Sequence, residues 1–380
     1  MDGEIITIGC EITSGMTLAE GAAYAAYEIS TVGLRVNRMT AVPTDVEAVS
    51  EALARAVRES RFVIVLGDHV PRGEPGERRP WIPQEAGLLG PARGDHAFVL
   101  VKEDIPIYFL PKDRLKLAGL LEKHVLTELR EVCRPPPAPE QRVLKLYGLE
   151  GSQIAAQIED LRDRTGDISV ELYPAHPAYH ICICSIKPAE DAVKGDLERI
   201  EQKICARLQP FIFAAGNQTM AGALGERLRE KSLTLAVAES CSGGLIGHLL
   251  TAVPGSSHYF MGGVVAYSNK AKVELLQVAI ETIDTHGAVS AAAARQMAEG
   301  AQRRFQTDMG LAVTGIAGPE GGTIEKPVGT VHIGLALHHE TYCERYRFKG
   351  SREQVKAHTA MMAMDWVRRV LNGHPFIPGV

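Results

Sequence analysis

The amino-acid sequence predicts an α/β protein built from three domains. At both ends of the chain, apolar segments typical of buried strands alternate with helical segments. A proline run at residues 135–139 marks a boundary, and the length of 380 residues calls for several domains, since single cores rarely exceed about 250 residues. We therefore expect a three-layer α/β domain at residues 1–134, a small α+β domain at 140–212 and an α/β domain at 220–372.

The composition is typical of a soluble globular protein, with 45% hydrophobic and 23% charged residues. A net charge of −5 argues against a general nucleic-acid binder, and no apolar segment approaches the ~20 residues of a membrane span. The acidic N-terminus enters a strand at once, which excludes a signal peptide. The seven cysteines form no Cys-x-x-Cys pair, so we expect reduced thiols and a cytoplasmic location. From the net charge and the lack of a long apolar segment, we expect no nucleic-acid or membrane partner.

In the N-terminal domain, strands and helices alternate and the strands are continuously apolar, which predicts parallel strands covered on both faces. Ligands in such sheets bind beyond the carboxyl ends of the strands, here Gly9-Cys10-Glu11 and Gly67-Asp68-His69. The predicted strands are 4–9, 34–42, 62–66, 97–101 and 107–110, the predicted helices are 18–31, 46–59 and 114–132, and residues 70–94 are rich in Pro, Gly, Arg and Glu.

The middle domain has a β-α-β-β-α pattern and a short glycine motif. Gly148-Leu149-Glu150-Gly151 matches the GXXG loop of nucleic-acid-binding KH domains, but Glu150 would repel the phosphates that such a loop clamps. A structural spacer is therefore favoured over RNA binding. Cys182 and Cys184 alternate on a strand and share one face, which favours packing over a metal site. The predicted elements are 142–147, 153–164, 168–173, 179–186 and 189–208.

The C-terminal domain again alternates strands with helices, and Ser351 and Gln354 have the spacing of a capping box. The predicted strands are 233–237, 262–267, 309–313, 329–337 and 341–348, and the predicted helices begin near 220, 245, 268, 291 and 352.

The segment 238–244, Ala-Glu-Ser-Cys-Ser-Gly-Gly, joins a strand to a helix and is the strongest candidate site. Ser240 or Cys241 would lie at the turn, where a thiolate has a lowered pKa. The amides of Ser242, Gly243 and Gly244 would lie at the helix N-terminus, where an oxyanion or a phosphate is favoured. The alternative is a plain Gly-Gly turn with a serine cap.

Two lysines and a tyrosine follow the next strand and suggest a serine nucleophile with a lysine base. Lys270 and Lys272 are two residues apart, so each could lower the other's pKa, and the sequence does not decide which is the base. Tyr267 would relay a proton or hold the substrate. The alternative places the lysines on an exposed helix and Tyr267 in the core.

A second glycine-rich loop at 314–322 ends another strand and offers backbone amides to a phosphate or ribose. The histidines lack the spacing of metal ligands, so no metal site is expected here.

Several motifs between residues 220 and 371 resemble those of the C-terminal domain of the CinA (competence/damage-inducible protein A) family. A single small departure is Ser242, where the family usually has Thr. The motifs are the segments 236–244, 253–257, 267–272, 287–290, 314–319 and 325–331.

The resemblance implies a nicotinamide mononucleotide amidohydrolase in pyridine-nucleotide salvage, without a cofactor, with a small-molecule nucleotide substrate, and as a homodimer. It implies Ser240 as the nucleophile, Lys272 as the base and Tyr267 as an assisting group. A different class of function is a nucleotide- or pterin-binding regulatory protein with an inert C-terminal site. The expected substrate-binding residues are Gly243, Gly244, Asn269, Thr314, Gly315, Ala317, Gly318 and, as a phosphate ligand, Arg352.

The N-terminal domain resembles the molybdopterin-binding domains of the MoaB/MogA type through residues 4–9, Gly15, 33–36 and 62–67. The family links this domain with metal-dependent ADP-ribose pyrophosphatase activity. Here Gly9-Cys10-Glu11 replaces the usual Gly-Asp-Glu, and residues 66–73 lack the Thr-Gly-Gly-Leu-Gly-Pro-Thr loop and the Asp-Asp pair. We expect this activity to be lost and no divalent metal to bind.

Overall fold

The computed structural model describes residues 3–67, 87–89, 97–133, 140–162, 167–185 and 191–379. Helices and three sheets, two mixed and one antiparallel, confirm the predicted α/β class. The chain forms two compact units, one from the first 140 residues and one from residue 141 onward. Several sequence features lie outside the described residues: Asp68 and His69, most of 70–94, and the proline run at 135–139.

The first unit contains a six-stranded sheet in the order β2-β1-β3-β6-β5-β4, with β1, β2, β3 and β6 parallel. Its elements are β1 (Gly3–Ile8), α1 (Cys10–Thr13), α2 (Glu20–Thr31), β2 (Val36–Val42), α3 (Val46–Glu59), β3 (Phe62–Leu66), β4 (Gly87–Leu88), β5 (Phe98–Lys102), β6 (Ile105–Leu110), α4 (Arg114–Leu120), a π-helical turn (Leu121–Val125) and α5 (Leu126–Cys133).

Helices cover both faces of this sheet, as the continuous apolar strands predict. Ile5 of β1 packs against Ala25 and Ile29 of α2, whereas the next residue, Ile6, packs against the opposite layer that includes Ala52 of α3. Successive residues of a strand point to opposite faces, so both faces are buried in a three-layer arrangement.

One edge of the sheet differs from the predicted parallel pattern. β5 and β6 form an antiparallel hairpin, because Glu103 and Asp104 make a two-residue turn with φ values of 53° and 64°. β4 then pairs antiparallel with β5. The short helix α1 was not predicted, and helix α2 begins two residues later than expected.

The second unit begins with a four-stranded antiparallel sheet in the order β10-β7-β9-β8. Cys182 and Cys184 share a face of β9, with their Sγ atoms 3.1 Å apart. The strand β10 was not predicted and pairs with β7. The elements are β7 (Gln141–Leu146), α6 (Gly151–Gln157), α7 (Glu159–Arg162), β8 (Ile168–Ala175), β9 (Ala178–Ser185), α8 (Asp191–Leu208) and β10 (Ile212–Ala215).

The same unit continues with a five-stranded sheet in the order β12-β11-β13-β14-β15, in which β14 and β15 are antiparallel. The strand β11 begins two residues later than predicted, and helix α12 was not predicted. The elements are α9 (Met220–Glu230), β11 (Leu235–Glu239), α10 (Leu245–Thr251), a 3₁₀ turn (Ser256–His258), β12 (Phe260–Val265), α11 (Asn269–Leu276), α12 (Ile280–His286), α13 (Ala291–Phe305), β13 (Met309–Gly315), β14 (Thr330–Ala336), β15 (Thr341–Arg347) and α14 (Arg352–Leu371).

Helix α14 links the two sheets of the second unit. Its predicted capping box is confirmed, since Gln354 N donates to Ser351 Oγ and Ser351 N donates to Gln354 Oε1. At its other end, buried Asp365 pairs with Arg368, whose guanidinium donates to the carbonyl of Pro210 just before β10. The helix is therefore anchored to both sheets and has a fixed position beside them.

None of the helices in the described part of the chain is long and apolar enough to span a membrane.

Candidate active site

Ser240 follows the carboxyl end of the buried strand β11, which lies between β12 and β13. Its N–H donates to the carbonyl of Val313 on β13 at 3.0 Å, and Ala266 N donates to the carbonyl of Glu239 at 2.8 Å. Both neighbouring parallel strands therefore hold the backbone around Ser240. The side chain is only 7% exposed, which places the hydroxyl inside a crevice at the edge of the sheet.

Lys272 reaches Ser240 from helix α11. Ser268 caps this helix by accepting from Ala271 N at 3.1 Å, and helical side chains lean toward the N-terminus of their helix. The Nζ atom of Lys272 lies 3.1 Å from Ser240 Oγ and 2.8 Å from the carbonyl of Ala266. Lys272 is 1% exposed, and this burial lowers its pKa below 10.5. The serine and the lysine thus form a buried pair.

Lys270 does not belong to this pair. Its side chain is 79% exposed, and its Nζ lies 3.7 Å from Glu274 Oε1, one turn further along α11. Residues two apart on a helix point in different directions. The expectation that each lysine lowers the other's pKa was therefore wrong for Lys272, whose pKa is lowered by burial. The alternative with both lysines on an exposed surface was wrong as well.

The thiol of Cys241 does not have the lowered pKa expected for a helix N-terminus. Its side chain is 5% exposed, and burial raises its pKa to about 12. A thiol in this state is protonated at neutral pH and is a poor nucleophile. Between the two candidates at the turn, the geometry favours Ser240.

The N-terminus of helix α10, predicted to bind an oxyanion or a phosphate, is occupied by the side chain of Glu239. Its buried carboxylate accepts from Ser242 Oγ at 2.6 Å and from the amides of Gly244, Ile246 and Gly247 at 3.1, 3.0 and 2.8 Å. The anion at the start of α10 is therefore a side chain of the protein itself.

The two glycines of the turn consequently have no amide to offer a substrate. Gly244 N donates to Glu239, and Gly243 N donates to the carbonyl of Ser240 at 3.1 Å. The expectation that these amides bind the substrate was wrong. Their positive φ values of 64° and 95° instead allow the chain to turn tightly behind Ser240.

A cavity of about 160 Å³ opens above Ser240 and Lys272. Most of the residues predicted to bind substrate line it, whereas Gly243, Gly244 and Gly318 do not. Ala288 and Val289 were missed, although they lie in one of the motifs that carried the family resemblance. The lining comprises Ser240, Cys241, Tyr267, Asn269, Lys272, Ala288, Val289, Thr314, Gly315, Ala317 and Arg352.

Tyr267 and Arg352 form one wall of this cavity. Tyr267 is 62% exposed, so the alternative that placed it in the core was wrong. Arg352 donates through Nη2 to Tyr267 Oη at 3.0 Å and through Nη1 to the carbonyl of Gly318 at 2.6 Å. Gly318 thus positions Arg352 from outside the cavity. The backbone carbonyl of Tyr267 accepts a hydrogen bond from Lys272 Nζ at 3.3 Å.

Comparison with known proteins identifies the family. A model of the CinA C-terminal domain matches residues 217–371, and a model of the "Damage-inducible protein CinA KH domain" matches residues 141–214. The CinA-like protein of Desulfotalea psychrophila is 33% identical over 411 residues, covering 98% of this chain and 99% of that protein. A CinA-like protein of Citrifermentans bemidjiense is 36% identical over 418 residues, covering 99% of each chain. This chain belongs to the CinA family.

A solved CinA-family structure is also similar to part of the chain. The competence/damage inducible protein CihA from Agrobacterium tumefaciens is 39% identical, with a TM-score of 0.39, and the match covers 40% of this chain and 93% of that one.

One cation at the site of this CinA-family chain was missed by the sequence analysis. Lys356 follows Arg352 by one helical turn, and its Nζ lies 3.7 Å from the position that a Cβ on Gly243 would occupy. In the sequence, the four-residue spacing of Arg352 and Lys356 at the start of helix α14 could have indicated that both cations lie on one face of the helix. Together with Arg352, Lys356 gives the surroundings of the cavity a positive charge, which favours an anionic substrate.

Among the residues that the structure describes, no cluster of three or more His, Cys, Asp or Glu side chains has the geometry of a metal site. In the first unit, Glu11 is held by Lys112, whose Nζ lies 2.7 Å from Glu11 Oε1. This hydrogen bond lowers the pKa of Glu11. A carboxylate already paired with a lysine is a poor ligand for a divalent cation.

Proposed function

We propose that this CinA-family chain is an amidohydrolase that converts the carboxamide of nicotinamide mononucleotide into a carboxylate and releases ammonia. The observation that carries the proposal is the 3.1 Å contact between Ser240 Oγ and the Nζ atom of buried Lys272, which faces a cavity. Serine–lysine pairs act as nucleophile and base in other hydrolases. The choice of nicotinamide mononucleotide as the substrate rests on the family resemblance.

The carbonyls around Lys272 suit the role of a base. A neutral amine has two N–H groups and one lone pair. The carbonyls of Ala266 and Tyr267 can accept the two N–H groups, which leaves the lone pair directed at Ser240 Oγ. Burial favours this neutral form. The backbone thus orients Lys272 for proton transfer from the hydroxyl.

In the proposed reaction, Lys272 takes the proton of Ser240 as Oγ bonds to the carboxamide carbon. The resulting tetrahedral intermediate collapses when its C–N bond breaks, and Lys272 returns the proton to the departing ammonia. A water molecule, deprotonated by Lys272, then attacks the ester on Ser240; the bond between the carbonyl carbon and Oγ breaks, the carboxylate leaves, and Lys272 returns the proton to Ser240 Oγ. The net reaction consumes one water for each ammonia released and needs no cofactor.

The cavity and the nearby cations fit a nucleotide amide. A volume of about 160 Å³ is below the ~300 Å³ of typical small-molecule pockets, so it encloses the pyridine carboxamide while the ribose phosphate extends outward. Arg352 and Lys356 lie on one face of α14 at the outer side of the site, where they would bind the phosphate. Asn269, Thr314, Gly315 and Ala317 would contact the enclosed part.

Ammonia release from nicotinamide mononucleotide by the purified full chain tests the proposal. We expect turnover and a product with the mass of nicotinate mononucleotide. Nicotinamide riboside, which lacks the phosphate, should have a kcat/KM at least about 10-fold lower, because the charge-assisted contacts are lost. No ammonia from a chain whose circular dichroism shows it folded would contradict the proposal and favour a nucleotide- or pterin-binding regulatory protein.

The value of kcat/KM should rise with pH as Lys272 loses its proton. The base is active only when neutral, and burial lowers the pKa of Lys272 from 10.5, so kcat/KM should increase with pH through a midpoint below 10.5. The pH profile of Lys270→Met should have the same midpoint, because Lys270 is exposed and contacts Glu274. A midpoint at or above 10.5, or one that moves in Lys270→Met, would contradict this assignment.

We also propose that the first unit does not hydrolyse ADP-ribose and binds no catalytic divalent metal. Glu11 is engaged by Lys112, and the altered loop at 68–73 lies outside the described residues. ADP-ribose should remain intact with Mg²⁺, Mn²⁺ or Co²⁺ when product is followed by chromatography. Robust hydrolysis that disappears in Glu11→Gln would contradict the proposal.

The remaining expectations about partners and location stay predictions. The seven cysteines, which all lie among the described residues, form no disulfide with one another, which fits the proposal of a reducing cytoplasm. The homodimer is expected from the family resemblance alone, and the negative net charge of −5 supports the proposal that nucleic acid is not a partner.

A further inference from the structure

A second cavity, of about 520 Å³, lies within the second unit, between its two sheets. One wall is the loop 148–151 after β7 and the turn between β8 and β9. The opposite wall is the end of β15 and the first turns of α14. The site described above lines a different cavity, and no residue is shared between the two.

The glycine motif at 148–151 lines this cavity and is not arranged as an open nucleic-acid clamp. A Cβ on Gly148 would lie 2.0 Å from Ile377 Cδ1, so the C-terminal segment packs directly against the loop. Glu150 caps helix α6, since its side chain accepts from Gln153 N and its own N–H donates to Gln153 Oε1 at 2.9 Å. The loop is therefore covered by Ile377 at Gly148, and its residues line the cavity.

Aromatic rings form the centre of the cavity. The rings of Phe348 and His358 are stacked with centroids 5.4 Å apart and an angle of 13° between their planes. His176 approaches His358 edge-on at 4.7 Å, and Tyr147 Oη donates to the carbonyl of His358 at 3.1 Å. Burial, and then the nearby His176, lower the pKa of His358 to about 4, so its ring is neutral at neutral pH. Phe348 also stacks on Tyr346 at 5.7 Å, so these rings form one aromatic cluster, and Phe348 and His358 line the cavity as apolar surface for a planar group.

Two cations at the rim have no anionic partner. Arg347 and Lys349 line the cavity and are exposed, and within residues 141–162, 167–185 and 191–379 neither forms an ion pair. Glu150 is an acidic residue of the lining, and its carboxylate is turned to the amide of Gln153. The rim therefore attracts a negative group.

We propose that this cavity binds a free mononucleotide, with the base against the rings of Phe348 and His358 and the phosphate at Arg347 and Lys349. Its volume of about 520 Å³ lies within the ~300–1,000 Å³ of small-molecule pockets. Stacking does not distinguish strongly between bases, so any nucleoside monophosphate is a fair probe. RNA is disfavoured because Ile377 covers the glycine loop.

The position of the cavity connects it with helix α14. Arg347 and Lys349 precede the start of α14, and His358 lies within it, six residues after Arg352 of the other cavity. A nucleotide in the cavity would therefore touch both ends of the segment that carries Arg352. The proposal that this cavity binds a mononucleotide does not depend on the amidohydrolase reaction proposed above.

Calorimetric titration of the full chain carrying Ser240→Ala with AMP tests the inference. We expect binding that weakens at least about 10-fold in Arg347→Gln/Lys349→Gln and is unchanged in Arg352→Gln. Adenosine and ribose 5-phosphate should each bind at least about 10-fold more weakly than AMP, because each lacks one half of the recognised group. Thermal melting of each variant checks that it is folded.

Three results would overturn the inference. The first is no AMP binding to the folded chain. The second is binding that depends on Arg352 and not on Arg347 and Lys349, which would place AMP in the other cavity. The third is a single-stranded RNA oligonucleotide that binds through Arg347 and Lys349 when AMP does not, which would assign the surface to nucleic acid.

Discussion

Replacing Ser240 by alanine is expected to lower the rate of ammonia release from nicotinamide mononucleotide by at least about 1,000-fold. In the proposed reaction, the Oγ atom of Ser240 bonds to the carboxamide carbon, and no other hydroxyl lies within hydrogen-bond distance of Lys272 Nζ among the described residues. The loss should appear in kcat with little change in KM, because Oγ takes part in the chemical step more than in binding.

Cys241→Ala is the matched control for this variant. The Cys241 thiol is adjacent in the chain, lines the same cavity, and has a pKa raised to about 12 by burial. We expect its replacement to change kcat by less than about 10-fold, since a protonated thiol is a poor nucleophile. Activity that survives Ser240→Ala and disappears in Cys241→Ala would move the nucleophile to Cys241.

Lys272→Met should reduce kcat/KM by about 100- to 10,000-fold, the usual contribution of a general base. Methionine has a similar length and no charge, so it fills the buried space beside Ser240 without supplying a base. The melting temperature should not fall, because burial disfavours the lysine's charged form. Steady-state ammonia release and thermal melting together separate loss of catalysis from loss of folding.

Two further variants define the role of Lys272. Lys270→Met removes a lysine from the same helix at a position that is 79% exposed, and its activity should stay within about twofold of the original chain. Lys272→Arg keeps a positive charge but cannot act as a base near neutral pH, so it should remain inactive. Restored activity in Lys272→Arg would show that only the charge matters.

The sequence predicts that Ser240, Lys272 and Thr314 lie close together, and the structure brings them to one cavity because strand ends in an α/β sheet converge. Ser240 follows β11, Lys272 lies in the first turns after β12, and Thr314 ends β13, so all three reach the same crevice. The positions of the strands in the chain could be predicted from their apolar pattern. The antiparallel pairing of β14 with β13 was not anticipated, because it depends on the connecting loop at 316–329.

The electrostatics of the turn could not be predicted from composition alone. Glu239 was taken as a residue of the motif, but its position as the last residue of β11 directs its carboxylate to the amides at the start of α10. Only the fold shows that these amides are satisfied. An acidic residue that precedes a glycine turn and a helix was the available signal.

The family resemblance points to Lys272, but a physical reason for choosing it over Lys270 required the structure. The sequence gives Lys270 and Lys272 equal chemistry, and the start of α11 at Asn269 decides which of them faces Ser240. The contact between the glycine loop and Ile377 joins residues more than 200 positions apart in the chain, which no local pattern predicts.

The most direct test of the Ser240–Lys272 pair is to trap the acyl intermediate. The full chain would be mixed with nicotinamide mononucleotide, quenched in acid within milliseconds and digested for peptide mass spectrometry. We expect a peptide whose mass is increased by the acyl nucleotide, with the ester on Ser240, and no such adduct in Ser240→Ala. An adduct on Cys241, or sustained ammonia release by Ser240→Ala, would contradict the account.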